Sequence, residues 1–436
     1  MISRTSALGM ALAVALPAAA AQAQTEIQWW HAMTGANLER VNSVAEQFNS
    51  LQKDYKIVPS LKGNYDETLA AGIAAFRAGK PPHILQVFDA GTGTMMYSGK
   101  AIKPIYEVFS DAGMKFDPKV YIPAITGYYS LPDGRMLSFP FNSSSPILYW
   151  NKDIFKKAGL DPEKPPKTYP ELFEMAKKIH ASGHTCGFTS TWATWIGLEN
   201  FSAWHDVPFA TKRNGMDGLD AELKFNSPLH VKHFQNLADL QKDKTFDYGG
   251  RTSEAKQKFT SGECAMLTES SGGLGDVRKA GFAFGTSTLP YYPEAKGAPQ
   301  NTVPGGASLW VMAGHKKEDY IGVAKFFSYL SNPSVQAELH QKSGYLPITP
   351  AAYELTKQSG FYKDNPGTET PLLQMTGKPP TDNSKAVRLG NLPQVRNVIN
   401  EEVEALFAGK QTAQQALDKA VERGNAILRQ FEKDNK

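Results

Sequence analysis

The sequence predicts an α/β protein of two lobes, each a mixed sheet flanked by helices. Three observations lead there. The chain has 436 residues, nearly three times a common domain size of about 150, so more than one core is expected. Its opening stretch alternates short apolar runs with segments of helical spacing, the grammar of parallel strands covered by helices. The same alternation restarts after residue 145.

Ile27 to Trp30 reads as the first strand, and Leu38, Val41, Ala45 and Phe48 then recur at helical spacing. Tyr55 to Val58 is a second extended run. Leu69, Ile73 and Phe76 mark the next helix, which Gly79-Lys80-Pro81-Pro82 stops before the strand Ile84 to Phe88. In the second lobe Ile147 to Trp150 is a strand. A helix follows behind the capping box Thr168-Tyr169-Pro170-Glu171, whose proline sits where a missing N–H costs least. Cys186 to Ser190, the run from Cys264, and Leu309 to Met312 are strand-like. The carboxyl third is more helical, with one stripe at Ile321, Ala324, Phe327 and Leu330 and another at Leu392, Val395, Ile399, Val403 and Leu406. The last helix opens on the capping box Thr412 and Gln415 and buries Leu417, Val421, Leu428 and Phe431. No internal repeat is visible, which argues against solenoids and propellers.

A net charge of +4, from 47 basic and 43 acidic residues, is too small and too interspersed for a nucleic-acid binder. A 41% hydrophobic content excludes disorder, and two cysteines exclude a disulfide-dense scaffold. At the N-terminus Arg4 gives a short positive region, Ala7 to Pro17 an apolar one, and Ala21-Gln22-Ala23 a small-x-small cleavage site. Residues 1–23 are therefore expected to be a signal peptide, cut after Ala23. A membrane anchor is the alternative, but the apolar run is shorter than the roughly 18 residues of a span. A soluble, periplasmic protein follows. In that oxidising compartment Cys186 and Cys264 either bridge neighbouring strands or stay as two buried thiols.

Signatures of a secreted enzyme are missing: no G-x-S-x-G elbow, no H-E-x-x-H and no EF-hand loop. Gly91-Thr92-Gly93 and Gly79-Lys80 read as turns, since neither has the remaining glycines of a nucleotide-binding loop. His230 and His233 share a helix face, yet no third ligand with suitable spacing accompanies them, so they read as a solvated pair. These absences move weight toward binding.

Polar and aromatic residues gather instead at strand ends, where α/β proteins bind ligands. Gly63-Asn64-Tyr65-Asp66 opens a helix, Asn142-Ser143-Ser144-Ser145 interrupts the passage between lobes, and Ser270-Ser271-Gly272-Gly273 follows a strand. Gly305-Gly306-Ala307-Ser308 precedes another. Such loops let backbone N–H groups and hydroxyls approach an anion, though each one taken singly is more often a turn. Arg396 offers a fork of donors matched to phosphate; a solvated arginine near a helix start is the alternative. Trp192 and Trp195 suit the C–H surface of a small polyol, with core packing of one of them as the alternative.

These segments also carry a resemblance. Ile27-Gln28-Trp29-Trp30-His31, Tyr149-Trp150-Asn151-Lys152-Asp153, and Phe259-Thr260-Ser261-Gly262-Glu263-Cys264-Ala265-Met266 resemble the extracellular solute-binding proteins of ABC importers. Lys62-Gly63-Asn64-Tyr65, Ala71-Gly72-Ile73-Ala74-Ala75-Phe76-Arg77 and Phe141-Asn142-Ser143-Ser144 are similar to the branch of that family specific for sn-glycerol-3-phosphate. So are Gly305-Gly306-Ala307-Ser308-Leu309-Trp310, Gly344-Tyr345-Leu346-Pro347-Ile348-Thr349 and Arg388-Leu389-Gly390-Asn391.

The resemblance implies a two-lobed, maltose-binding-protein-like periplasmic-binding fold of type II. One lobe would take residues 24–143 with 290–346 and the other 144–289 with 347–436, joined by crossings near 141–146, 287–292 and 345–350. It implies phosphate held by Tyr65, Ser144, Ser270, the Gly306 backbone, Tyr345 and Arg396, with the glycerol end against an acidic residue, Trp192 and Trp195. At that acidic position Asp89 stands where the family's pattern has glutamate, so reach falls by one methylene and a larger head group is left open. The implied partners are sn-glycerol-3-phosphate, inner-membrane permease subunits and their cytoplasmic ATPase. The chain would be a monomer with no cofactor, metal or nucleic acid. The rivals are a glycerophosphodiester such as glycerophosphocholine as main ligand and, in another class, a secreted phosphodiesterase.

Overall fold

The computed structural model describes residues 24–436, and the expected signal peptide lies outside the described residues. In chain order the strands are β1 (Thr25–His31), β2 (Tyr55–Leu61), β3 (Ile84–Phe88), β4 (Phe139–Pro140), β5 (Pro146–Asn151), β6 (Cys186–Ser190), β7 (Cys264–Ser270), β8 (Phe284–Ser287) and β9 (Ala307–Val311). They form two sheets, ordered β2-β1-β3-β9-β4 and β6-β7-β5-β8. Both are mixed: β1 runs parallel to β2 and β3 while β9 is antiparallel to β3 and β4, and β6 runs parallel to β7 while β5 is antiparallel to β7 and β8.

The expected strands and helices appear because their apolar patterns have faces to bury. All five residues of β3 are buried, as a strand in a sheet covered on both sides requires, and its one polar side chain, Gln86, accepts the Ala32 N–H and donates to Asn142. One face of the first sheet packs Trp29, Leu309 and Phe139 under Phe326 and Phe327 of the helix Lys317–Leu330. The other packs Leu85, Val87 and Trp310 with Leu392, Val395 and Leu417 of the two C-terminal helices, Leu392–Phe407 and Ala413–Asn435. In the second sheet Leu148, Trp150, Phe188 and Met266 meet Leu172, Ala176 and Ile179 of the helix Tyr169–Ala181, which starts on the expected capping box.

A disulfide joins Cys186 to Cys264, which face each other in the β6–β7 register, and so decides between the two readings of the cysteines. The histidine pair is corrected. His230 and His233 are buried, not solvated: His230 is bonded through both ring nitrogens, to Ser202 and Ser227, and His233 packs on Phe201 and Tyr169. Among the described residues no helix is long and apolar enough to cross a membrane.

The chain leaves the first sheet after β4 and returns to it after β8. These passages lie side by side: Ser144 and Gly305 exchange backbone hydrogen bonds of 3.1 and 2.9 Å, and the Leu346 N–H donates to the Ser143 carbonyl at 2.8 Å. The loops that lead from one sheet to the other thus share one wall.

Candidate functional site

Against that wall lies a cavity of about 200 Å³, lined by all nine residues expected at the site, from Tyr65 to Arg396. Tyr65 is the first residue of the helix Tyr65–Arg77, which begins where it does because Asn64 and Glu67 form a reciprocal capping box. Its ring stacks on Phe88 at 5.3 Å, and its hydroxyl accepts a 3.0 Å bond from Asn142 Nδ2, leaving its own hydrogen free to donate. Burial pushes the phenols of Tyr65 and Tyr345 above their ordinary range, so both stay neutral donors.

The glycine-rich loops do two different jobs. Gly306 has φ +82°, and a Cβ there would lie 1.9 Å from the Asn142 carbonyl oxygen, so only glycine brings the backbone this close. Gly305 and Gly272 instead make room for rings: a Cβ would come within 2.1 Å of the Trp195 indole and 2.3 Å of the Tyr345 ring respectively. Ser270 ends β7, and its hydroxyl accepts the Gly272 N–H at 3.1 Å.

The two tryptophans come from an unusual turn. Trp192 has φ +47°, a left-handed conformation that a bulky side chain adopts only under constraint, and its N–H donates to the Thr252 carbonyl at 3.0 Å. A π-helical turn, Trp195–Asn200, follows, as is frequent at functional sites. It points Trp195 and Glu199 into the interior. Trp195 is buried and its indole N–H has no partner, while Trp192 is half-buried against Tyr65.

Arg396 departs from expectation. It is not a free fork awaiting an anion: Nε and Nη2 donate to the two oxygens of Glu199 at 2.7 and 2.8 Å, and Nη2 also bonds Asp89. All three side chains are buried. Burial pushes the carboxyls of Asp89 and Glu199 up against the pull of Arg396; burial of the guanidinium is outweighed by both carboxylates, which hold its pKa above the ordinary value. Asp89 is further fixed through its backbone, its N–H donating to Gly306 and its carbonyl accepting the Tyr128 hydroxyl, both at 2.9 Å.

A second cluster lies beside Ser270. Lys256 Nζ donates to Asp276 at 2.5 Å, and Glu269 is buried with Oε1 on the Ser270 N–H and Oε2 without a partner. Burial, opposed by Lys256, raises the Glu269 carboxyl to about 7. The cavity is thus lined by four carboxylates, Asp66, Asp89, Glu269 and Asp276, against two cations.

Sequence reading missed Glu199, Lys256 and Glu269. The signal for the two glutamates was there, an acidic residue inside an apolar run (Ile196-Gly197-Leu198-Glu199; Ala265-Met266-Leu267-Thr268-Glu269), where a charge must have a purpose. His83, His315 and Asp319 also bring possible ligand atoms within 4.8 Å of one another. The Gln28 N–H donates to His83 Nδ1 at 2.9 Å, however, so Nε2 carries the hydrogen and faces Asp319 as a donor, and a metal would have to displace it.

Two sheets with a polar, aromatic-walled cleft at their junction, and with loops from both reaching one small cavity, define a two-lobed solute-binding protein. The description "Bacterial extracellular solute-binding protein" fits residues 43–370, and the chain belongs to that family. It is 64% identical over 425 residues to the sn-glycerol-3-phosphate-binding periplasmic protein UgpB of Brucella suis biovar 1, covering 97% of this chain and 98% of that one. The protein of the same name from Yersinia pseudotuberculosis is 56% identical over 418 residues, 95% of either chain. Among solved structures, UgpB from Mycobacterium tuberculosis in complex with glycerophosphocholine superposes with a TM-score of 0.79 at 21% identity, over 94% of this chain and 99% of that one. Maltose-bound MalE3 of T. maritima gives 0.73 at 19%, over 92% of this chain and all of that one. Both likenesses bear out the two-lobed, maltose-binding-protein-like fold.

Proposed function

We propose that this protein captures sn-glycerol-3-phosphate in the periplasm for an ABC importer. The observation that carries the reading is convergence: nine residues scattered between positions 65 and 396 line one cavity. The curated relatives of 56 and 64% identity carry that ligand in their names.

In this reading the phosphate takes its hydrogen bonds from neutral donors, the hydroxyls of Tyr65, Ser144, Ser270 and Tyr345 and the Gly306 N–H. Arg396, bridged to Asp89, presents its remaining donors and the Asp89 carboxylate to the glycerol hydroxyls, a shift from the phosphate role that the resemblance implies for it. Trp192 and Trp195 cover the carbon chain. Lobes divided at 24–143 with 290–346 and at 144–289 with 347–436 would turn on crossings near 141–146, 287–292 and 345–350. Ligand contacts from both lobes favour the closed state, so binding shifts the hinge equilibrium by the difference in affinity. The closed monomer then delivers ligand to a membrane permease whose cytoplasmic ATPase drives uptake. No nucleophile or general base is assigned, and the protein acts without catalysis. Residues 1–23 serve as the export signal, removed after Ala23.

Calorimetry with sn-glycerol-3-phosphate is the test. One ligand per chain, with no heat from maltose, is the expected outcome; no binding of the phosphate overturns the reading. Glycerophosphocholine in competition ranks the two ligands, and phosphorus NMR after long incubation with it, showing product, would establish a phosphodiesterase instead.

A further inference from the structure

Glu269 has no place in the mechanism above, yet it is 2% exposed, lines the cleft and stands immediately before Ser270. Its environment is fully defined. Oε1 accepts the Ser270 N–H at 2.6 Å, and the side chain packs against Gly273, where a Cβ would lie 2.9 Å from its Cγ. Lys256, from the helix Lys256–Thr260, is the cation that faces it, and that ammonium donates to Asp276 of the helix Leu274–Arg278. Tyr149 of β5 and Tyr345 complete the surroundings; the side chains of Thr191 and Trp192 approach the carboxyl closely enough to lower its pKa, but neither reaches hydrogen-bonding geometry, and Oε2 is left without a partner.

An ionised carboxylate in that place is wrong for an anion seated on Ser270. It can only accept hydrogen bonds, as phosphate does, and two like charges would face each other away from water. A single proton reverses both defects. We propose that Glu269 takes a proton from solvent as a phosphate ligand enters, and that its neutral carboxyl donates this hydrogen from Oε2 to a phosphate oxygen. The inference rests on the phosphate reading and adds to it a proton that is bound together with the ligand. It also accounts for a cleft that receives an anion although its lining holds more acids than bases. Burial, against the pull of Lys256, already holds the Glu269 carboxyl at about 7, so the proton is readily taken up near neutral pH.

The test is proton counting by calorimetry in pairs of buffers with different ionisation enthalpies. Glycerophosphocholine is the cleaner probe because its diester has no second ionisation. For sn-glycerol-3-phosphate, whose second ionisation lies near 6, the readout is the difference between wild type and Glu269→Gln. Above the pKa of about 7 the free protein has lost the proton that the complex retains, so uptake should approach one proton per ligand at pH 8. It should vanish near pH 5.5, where the free protein is already protonated. Affinity should fall toward tenfold per pH unit on the alkaline side. Glu269→Gln, with a permanent neutral donor, is expected to bind without extra uptake, to lose this slope, and to exceed the wild type about thirtyfold at pH 8.5. Binding at pH 8 with no proton taken up by the wild type overturns the inference alone, as does a slope that survives in the variant. Failure of both ligands to bind overturns the phosphate reading, and the proton with it. The wild-type count stands by itself if the variant does not fold.

Discussion

The cleft holds two ion clusters of the same composition, one cation with two carboxylates, and they behave in opposite ways. At one end Arg396 engages Glu199 with two donors and Asp89 with another, so every charge has a partner. At the other, Lys256 bonds Asp276 and leaves Glu269 to be reached only through space. The geometry of the cation makes the difference. A guanidinium is a planar fork that satisfies two carboxylates at once, whereas an ammonium is a compact point charge on a flexible stem. The same formal charge count therefore yields a fully partnered post at the Arg396 end and, at the Lys256 end, a carboxyl with one oxygen unpartnered.

Removing the post should have the largest effect. Arg396→Ala strands two buried carboxylates, and the loss of a partner from a buried pair costs about 3–5 kcal/mol of stability. Urea unfolding should register that loss, and calorimetry the disappearance of ligand binding. A variant that unfolds like the wild type would mean that the two carboxylates are neutral in the folded protein. Arg396→Lys sharpens the comparison by turning the first cluster into a copy of the second. An ammonium at 396 reaches one carboxylate, so stability should fall by roughly 1–3 kcal/mol, the cost of an unpaired buried acceptor. The abandoned carboxyl should then titrate nearer neutral pH, visible as a carboxyl stretch in infrared difference spectra.

This asymmetry marks the limit of what the sequence disclosed. The β-α-β-α-β start, the capping boxes at Thr168 and Thr412 and the helical stripes were legible because each is written in neighbouring residues. The nine cleft residues were found through strand-end position, glycine-rich loops and a resemblance. Pairing was hidden. Nothing near Arg396 in sequence announces Glu199 or Asp89, which approach it from 197 and 307 positions away. The burial of His230 and His233 was missed for the same reason: Ser202, which bonds His230 from 28 positions away, and the rings of Phe201 and Tyr169 that pack on His233 come from the tertiary fold. The π-helical turn that brings Glu199 to the site has no local signature beyond an acid in an apolar run.

Lys256→Arg makes the reverse exchange and should act more gently. A fork at 256 can hold Asp276 and still extend a donor to Glu269, which would lower that carboxyl by about 1–2 units toward its ordinary range. Stability should change little. Proton uptake at pH 7 should instead increase, because the free protein would then be more fully ionised at that pH, and affinity should weaken accordingly. An unchanged uptake curve would show that residue 256 does not control Glu269.

The smallest effect is expected from Asp89→Glu, which introduces a longer carboxylate. Asp89 already meets Arg396, and its backbone is pinned on both sides by Gly306 and Tyr128, so the extra methylene has to be taken up by the side chain alone. A methylene within a shaped pocket is worth about 1–3 kcal/mol when it fits or clashes. Here the flexible end of the chain can bend past the guanidinium, so the effect should lie at the lower edge, no more than about tenfold in affinity. Its direction carries the information. If the shorter side chain leaves room beside the glycerol end, Asp89→Glu should weaken the larger glycerophosphocholine more than sn-glycerol-3-phosphate in competition calorimetry. Equal losses for both ligands would place the head group elsewhere, and would leave the clasp of Arg396, Asp89 and Glu199 with the glycerol alone.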